Sequence, residues 1–316
     1  MNRRILSLTV SVVVLCVLAS GVLAQSALKR KVDSLFVIAS AGSITHRDLV
    51  EPAIDSIAAL GPQVVPILVD KYDTRSARER HTINNILRKI GHEATPHLVE
   101  ALRRPDGETV SRVCWTLGYI RDSASVEPLM QVADHENWQV RDNALDALGK
   151  IGHRDADVVV LAGMADTIGQ VRKAAAVAAG RLGIDSAAAV LVHLLGDAFY
   201  GARMSAKESL VKLDSALVRK VIADSLESAN SVVGNLGCRI LGRIGGDAAI
   251  EVLLQQTRSD DSWRRAFAGE ALIAADPLDN CGYHRFLLLD EPDRLVRLKI
   301  TSALQRAHEE QEDPRK

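Results

Sequence analysis

The sequence predicts an all-α protein of the α-α superhelix class, an α-solenoid of about nine helical pairs. Three observations carry that reading. The stretch QVRDNALDALGKIG at 139–152 returns 31 residues later as QVRKAAAVAAGRLG at 170–183. Its closing position recurs as Gly61, Gly91, Arg121, Gly152, Gly183, Asp214, Gly245 and Asp276, in steps of 30 or 31 residues, with a weaker echo near His308. No stretch alternates apolar and polar residues long enough to ask for a strand. Self-similarity at this period means a repeat array, in which each repeat hides its apolar face only by stacking on its neighbours.

Taken in order, the chain opens MNRRILSLTVSVVVLCVLASGVLAQ. Arg3 and Arg4 form a positive n-region, Ile5 to Ser20 an apolar run, and Val22-Leu23-Ala24 a small-residue cleavage site, which is the layout of a secretory signal peptide over residues 1–24. Cys16 follows Leu15, too bulky for a lipoprotein anchor, and a membrane association arises only if this segment is left uncleaved. The expected compartment is outside the cytoplasm, in the periplasm. Without residues 1–24 the chain holds 37 basic and 40 acidic residues, and that deficit of cations argues against a nucleic-acid partner. Three cysteines remain, Cys114, Cys238 and Cys281, an odd number that argues against a disulfide framework.

Residues 25–308 then read as the solenoid. One, four and eight positions before each closing residue stand apolar or small side chains, as in Ile151, Leu148 and Ala144, or Leu182, Ala179 and Ala175. These offsets share one face of an α-helix, and the alanines allow neighbouring helices to approach closely. A shorter amphipathic pattern follows each closing residue, as in ATPHLVEAL at 94–102 and ASVEPLMQVA at 124–133, and then a polar turn holding Asp73, Asp106, Asp134, Asp166, Asp197 or Asp260. Each repeat is thus helix, turn, helix, turn. The polar tail at 309–316 follows the array and carries no expected role.

The V-R-x-x-A-x-x-A-L-G-x-I-G run at 140–152, its copy at 171–183 and LGRIG at 241–245 resemble the HEAT-like repeats of the phycocyanobilin-lyase type, over roughly residues 45–308. The resemblance implies that Arg80, Arg141, Arg172, Arg203 and Arg265 join the turn aspartates in a hydrogen-bonded ladder between repeats. Val110 and Gly234 interrupt that arginine column, and LESANSVVGN at 226–235 lacks both partners together. Arg121, Asp214 and Asp276 depart from the closing glycine.

Some proteins with such repeats are enzymes, and the chemistry they use leaves recognisable spacings. The HEAT-repeat metal hydroxylases carry His-Glu pairs inside the second helix, where this chain has Asp142-Asn143, Lys173-Ala174 and Met204-Ser205. His92-Glu93, His135-Glu136 and His308-Glu309 fall at other places in the repeat, and no HExxH spacing, P-loop or nucleophile elbow appears. The expectation is therefore no enzyme, no cofactor and no metal; a lyase- or hydroxylase-type activity is the least favoured alternative. Cys114 and Cys238 share a column four repeats apart and read as buried small side chains rather than nucleophiles.

What remains is the face ten, six and two residues before each closing position, which is expected to face solvent along an inner, concave surface. There Ser111, Trp115 and Tyr119 form one stripe holding the face's aromatic pair, and Trp and Tyr are common interface anchors. Lys89, Lys150, Arg181, Lys212 and Arg243 make the last column basic, a pattern that helix-dipole complementation explains and that an anion-binding ridge would also give. Trp138 and Trp263, at the starts of second helices, are expected to staple the turns. The sequence thus predicts an exported scaffold for a protein partner, anchored by Trp115 and Tyr119 and steered by Lys89, Lys150 and Arg181. Its alternative is a module that grips an anionic envelope polymer or lipid headgroup through the basic column.

Overall fold

Helix follows helix because each repeat carries its own start and stop signals. In this computed structural model, which describes residues 23–42, 47–226, 230–277, 282, 286–289 and 291–312, no strand occurs among the described residues. The helices are α1 (23–39), α2 (Arg47–Ala58), α3 (Val65–Asp70), α4 (Ala77–Ile90), α5 (Thr95–Ala101), α6 (Gly107–Ile120), α7 (Val126–Gln131), α8 (Trp138–Ile151), α9 (Asp157–Gly163), α10 (Gly169–Leu182), α11 (Ala188–Leu194), α12 (Tyr200–Leu210), α13 (Ser215–Ser225), α14 (Ser231–Ile244), α15 (Asp247–Gln256), α16 (Ser262–Ala275), α17 (Phe286–Leu289) and α18 (Arg294–Glu312). Taken two at a time they give nine helical pairs among the described residues. The signal-peptide reading falls almost entirely on residues 1–22, outside the described residues, as does Cys281. The boundary expected at 308 lies inside α18, which continues to Glu312.

Four of the long helices begin at side-chain caps. Ser76 accepts from Glu79 N, Asp106 from Glu108 N and Thr109 N, Asn230 from Val232 N and Val233 N, and Asp261 from Trp263 N. Each cap satisfies N–H groups that the first helical turn leaves without partners. Asp260 lies in the turn as expected, and its neighbour Asp261 holds the capping position. The ends are set by the closing column, where φ is 70° at Gly91, 84° at Gly152, 64° at Gly183 and 68° at Gly245. Glycine meets no Cβ penalty there. Arg121 shares the positive φ, at 59°, and like Gly183 is left-handed in ψ as well, whereas Asp214 is neither, because α12 stops four residues earlier and Asp214 instead caps α13 by accepting from Leu217 N.

The chain divides into two compact units, residues 1–147 and 148–316. In the first, Ile57, Leu68, Ile83, Leu87, Leu98, Leu117 and Leu145 are buried and form the apolar core. In the second, the alanine column is what the close-approach argument predicts: Ala175, Ala206 and Ala268 are all 0% exposed. Glycine extends the same principle. A Cβ on Gly180 would lie 2.8 Å from Ser209 Cα, and one on Gly242 would lie 2.7 Å from the Ala271 carbonyl oxygen, so α10 meets α12 and α14 meets α16 backbone to backbone. Ser209 Oγ donates to Ala176 O at 2.7 Å across the first of these contacts.

Two members of the arginine column, Arg172 and Arg265, bridge successive turns as the ladder expects. Arg172 donates from Nε and Nη2 to both Asp197 oxygens, at 2.7 and 2.8 Å, and from Nη1 to the Asp166 carbonyl of its own turn at 2.7 Å. One guanidinium therefore ties two successive turns. Arg265 repeats this with Glu291, at 2.9 Å through Nε and Nη2, and with the Ser259 carbonyl. Arg80, Arg141 and Arg203 reach back to the carbonyls of Thr74, His135 and Asp197. Arg297, eleven residues before the weaker echo at His308, is a further member, donating to the Glu291 carbonyl at 2.6 Å. At the gap in the column, Arg264 takes over: 7% exposed, it occupies the space above Gly234 and donates to Leu226 O at 2.8 Å and to Gln256 Oε1.

The ladder makes the fold sensitive to acid. The hydrogen bond from Arg172 holds the Asp197 carboxyl below its ordinary range, and Arg265 does the same for Glu291. A depressed carboxylate contributes stability that is present above its unfolded pKa and disappears as pH falls through the folded value. Urea midpoints should thus be level above about pH 5 and fall below about pH 4. The Asp197→Asn, Glu291→Gln double variant, weaker at neutral pH, should lose less on acidification. An acid limb equally steep in both proteins would count against the ladder as its source.

Candidate functional site

The stripe around Trp115 sits on α4, α6 and the first half of α8, three second helices whose starts are fixed by Ser76, Asp106 and Asn137. Trp115 and Tyr119, four residues apart on α6, face the same way. Their ring centroids lie 4.1 Å apart with the planes tilted by 38°, and the Arg88 guanidinium of α4 sits 5.4 Å from the Tyr119 ring centre. Tyr119 is 41% exposed and Trp115 is half-buried. This is the predicted pair, brought together at the surface.

Ser111 does not join them. It was expected to face solvent with Trp115, but it is 7% exposed, because its Oγ donates to the Gln139 carbonyl and accepts from Asn143 Nδ2 at 2.7 Å. The hydroxyl is thus used between α6 and α8. Beneath Trp115 a polar network joins successive helices. The Tyr72 hydroxyl, fully buried, donates to Asn84 Oδ1 at 2.5 Å and lies 2.7 Å from Thr116 Oγ1, which itself lies 3.2 Å from Asn84 Oδ1. Burial pushes the Tyr72 phenol well above its ordinary pKa, so it stays protonated and a donor.

The basic column is already occupied at both ends. Lys89 donates to Glu51 Oε2 at 3.1 Å and pairs closely with Asp55, both on α2. Arg243 donates from Nη1 to both Glu208 oxygens at 3.0 Å. The reading of Lys89 as a steering cation is therefore corrected: two carboxylates surround it. Lys150 and Arg181, in the second unit, each have an interaction partner of their own.

The second unit carries a cation-aromatic cluster that the columns did not assign. Trp263, 53% exposed, lies 6.4 Å from Phe267, with Lys299 Nζ 5.0 Å from the Trp263 ring centre and the Arg239 guanidinium 4.5 Å from Phe267. The stapling role expected of Trp263 is corrected by this exposure, since its ring meets side chains of α16 and α18. Trp138 is 38% exposed.

For catalysis the described residues offer little. Cys114 and Cys238 are buried free thiols, and burial pushes both up to about 12, leaving them protonated and unreactive at neutral pH. No group of three or more His, Cys, Asp or Glu among the described residues is placed to hold a metal ion. His92 Nδ1 lies 3.3 Å from Asp122 Oδ2, and His135 Nδ1 accepts from Asn137 N, so these two histidines of the His-Glu pairs serve turns. Among the described residues no single helix is long and apolar enough to cross a membrane.

Residues 95–179 match the family model of HEAT repeats. No curated protein matches the chain. Among solved structures, importin β superposes with a TM-score of 0.58 at 13% identity, covering 88% of this chain and 46% of that one; at such identity the likeness is of fold alone. Human deoxyhypusine hydroxylase, solved with glycerol, gives a TM-score of 0.36 at 18% identity, covering 80% of this chain and 98% of that one. The CpcE–CpcF complex of phycocyanin lyase from Nostoc gives 0.40 at 21%, covering 66% and 93%. Neither of these two carries an activity over to this chain. With its repeats in register, left-handed turns closing its long helices and a matched HEAT stretch at 95–179, this chain is a HEAT-like repeat protein.

Proposed function

We propose that the chain is an exported, non-enzymatic scaffold that holds a protein partner on the α4–α6 face around Trp115 and Tyr119. A repeat solenoid suits interaction because stacking leaves long helical faces outside the core. The observation that carries the assignment is the stacked pair itself. In a chain with only 3% aromatic residues, a Trp and a Tyr meet at the surface with Tyr119 substantially exposed. Large rigid side chains of this kind dominate binding energy at interfaces. Export rests on the composition of residues 1–24, with the periplasm as the compartment.

The rival reading, an anionic envelope polymer or lipid headgroup gripped by the basic column, is disfavoured by the carboxylates on Lys89 and Arg243. A photo-crosslinking residue at Tyr119 should capture a partner in intact cells, whereas the same residue at exposed Val158 in the second unit should not. Trp115→Ala, Tyr119→Ala should weaken the purified complex by about 2 kcal/mol or more, roughly 30-fold in Kd, with an unchanged circular dichroism spectrum. Equal affinity of wild type and double variant would remove the site.

A further inference from the structure

Beside Trp115 the surface opens into a cleft of about 210 Å³ lined by Tyr72, Arg80, Asn84, Arg112, Trp115 and Asn143. Two guanidiniums line it and no carboxylate does. The polarity of its donors is set from below. Tyr72 donates to Asn84 Oδ1, while the Thr116 hydroxyl also has the Arg112 carbonyl at 3.0 Å; the Asn84 oxygen is thus taken from below, and its NH2 group is the donor left for the cleft it lines. Arg112 pairs through Nη2 with the exposed Glu108 on its own helix, while its Nη1 is buried with no acceptor among the described residues. Leaving a charged donor buried and unpaired is costly, and an anionic acceptor relieves that cost. The Trp115 ring supplies an apolar side against which a short methylene chain can lie.

We infer that this cleft is a binding site for a carboxylate, of the kind carried by a glutamate side chain, held by Arg112, Arg80 and the Asn84 amide with its methylenes on Trp115. The inference deepens the docking reading above, because an acidic side chain of the docked partner is one source of that group; a free dicarboxylate is the other.

The test uses the full chain without residues 1–24 and needs no partner. Its three tryptophans give three indole N–H signals in a ¹⁵N spectrum, assigned by Trp138→Phe and Trp263→Phe. N-acetyl-glutamate amide should shift the Trp115 signal saturably and leave the other two in place, while the isosteric, uncharged N-acetyl-glutamine amide should not. Arg112→Gln should weaken the probe roughly tenfold, the loss expected for one charge-assisted hydrogen bond. Asn84→Asp, which keeps the acceptor for Tyr72 and adds a repelling charge, gives an independent check should Arg112→Gln fail to fold. Equal response to both probes, no saturable shift of Trp115, or tighter binding of inorganic phosphate than of the glutamate probe would each overturn the assignment. Glutarate competing as well as the peptide-like probe would identify a free dicarboxylate as the source. Loss of probe binding specificity with Tyr119 crosslinking intact would reject the cleft alone, and the converse would reject the aromatic anchor alone.

Discussion

Arg172→Ala is expected to destabilise the second unit by about 3 kcal/mol, the lower end of the range for breaking a buried ion pair from one side. The Arg172 and Asp197 side chains are only 17% and 7% exposed. Removing the guanidinium leaves a buried carboxylate with Phe199 N as its remaining donor, and frees the Asp166 and Thr167 carbonyls. Two turns come loose through one substitution. Arg172→Lys should recover little, because an ammonium cannot reach both oxygens and the neighbouring turn at once. Urea unfolding followed by circular dichroism reads the effect. A loss below about 1 kcal/mol would place Arg172 with ordinary surface pairs.

The second large effect is expected at Gly242. A single methyl there meets Ala271 O at 2.7 Å and Ala271 Cα at 2.9 Å, which are backbone atoms of the next long helix. Relief requires α14 and α16 to move apart over their whole contact. Gly237→Ala is the informative comparison, since its methyl meets only the side-chain ends Ile222 Cγ2 at 3.0 Å and Leu226 Cδ2 at 3.3 Å. Alanine gains roughly 1 kcal/mol over glycine within a helix. That gain should nearly cancel the cost at 237, whereas overpacking of about 3 kcal/mol should outweigh it at 242. Thermal melts of the two variants give the contrast. Equal melting temperatures would show that the helix contact yields more easily than its geometry indicates.

The repeat itself was legible because its determinants are periodic. Closing glycines, buried alanines and column arginines recur in steps of 30 or 31 residues or their multiples; the glycines take positive φ, the alanines are buried, and Arg172 and Arg265 bridge successive turns. What escaped is what breaks the period. Ser111 has the offset of an exposed residue, yet a carbonyl and an amide from the following helix bury it. Lys89 looks like one cation in a row until Glu51 and Asp55, more than thirty residues earlier, are seen around it. The network of Tyr72, Asn84 and Thr116 draws its members from unlike positions in successive repeats, so no column lines them up. Arg297 keeps the column's offset, but only from the weak echo at His308, so the closing residue that would mark it is not a glycine. Trp115 and Tyr119 were legible because aromatic residues are rare enough here for two on one helical face to be noticed.

The pairing of Gly234 with Arg264 bears on how such a chain can be edited. Averaging the repeats position by position would write arginine at 234, as most of its counterparts have. That space already belongs to the guanidinium of Arg264, whose hydrogen bonds to Leu226, Gln256 and Asn235 replace the missing rung. Residues 234 and 264 thus constitute a single steric choice written in two places. A majority vote among repeats restores the commoner spelling at one of them and collides with the other.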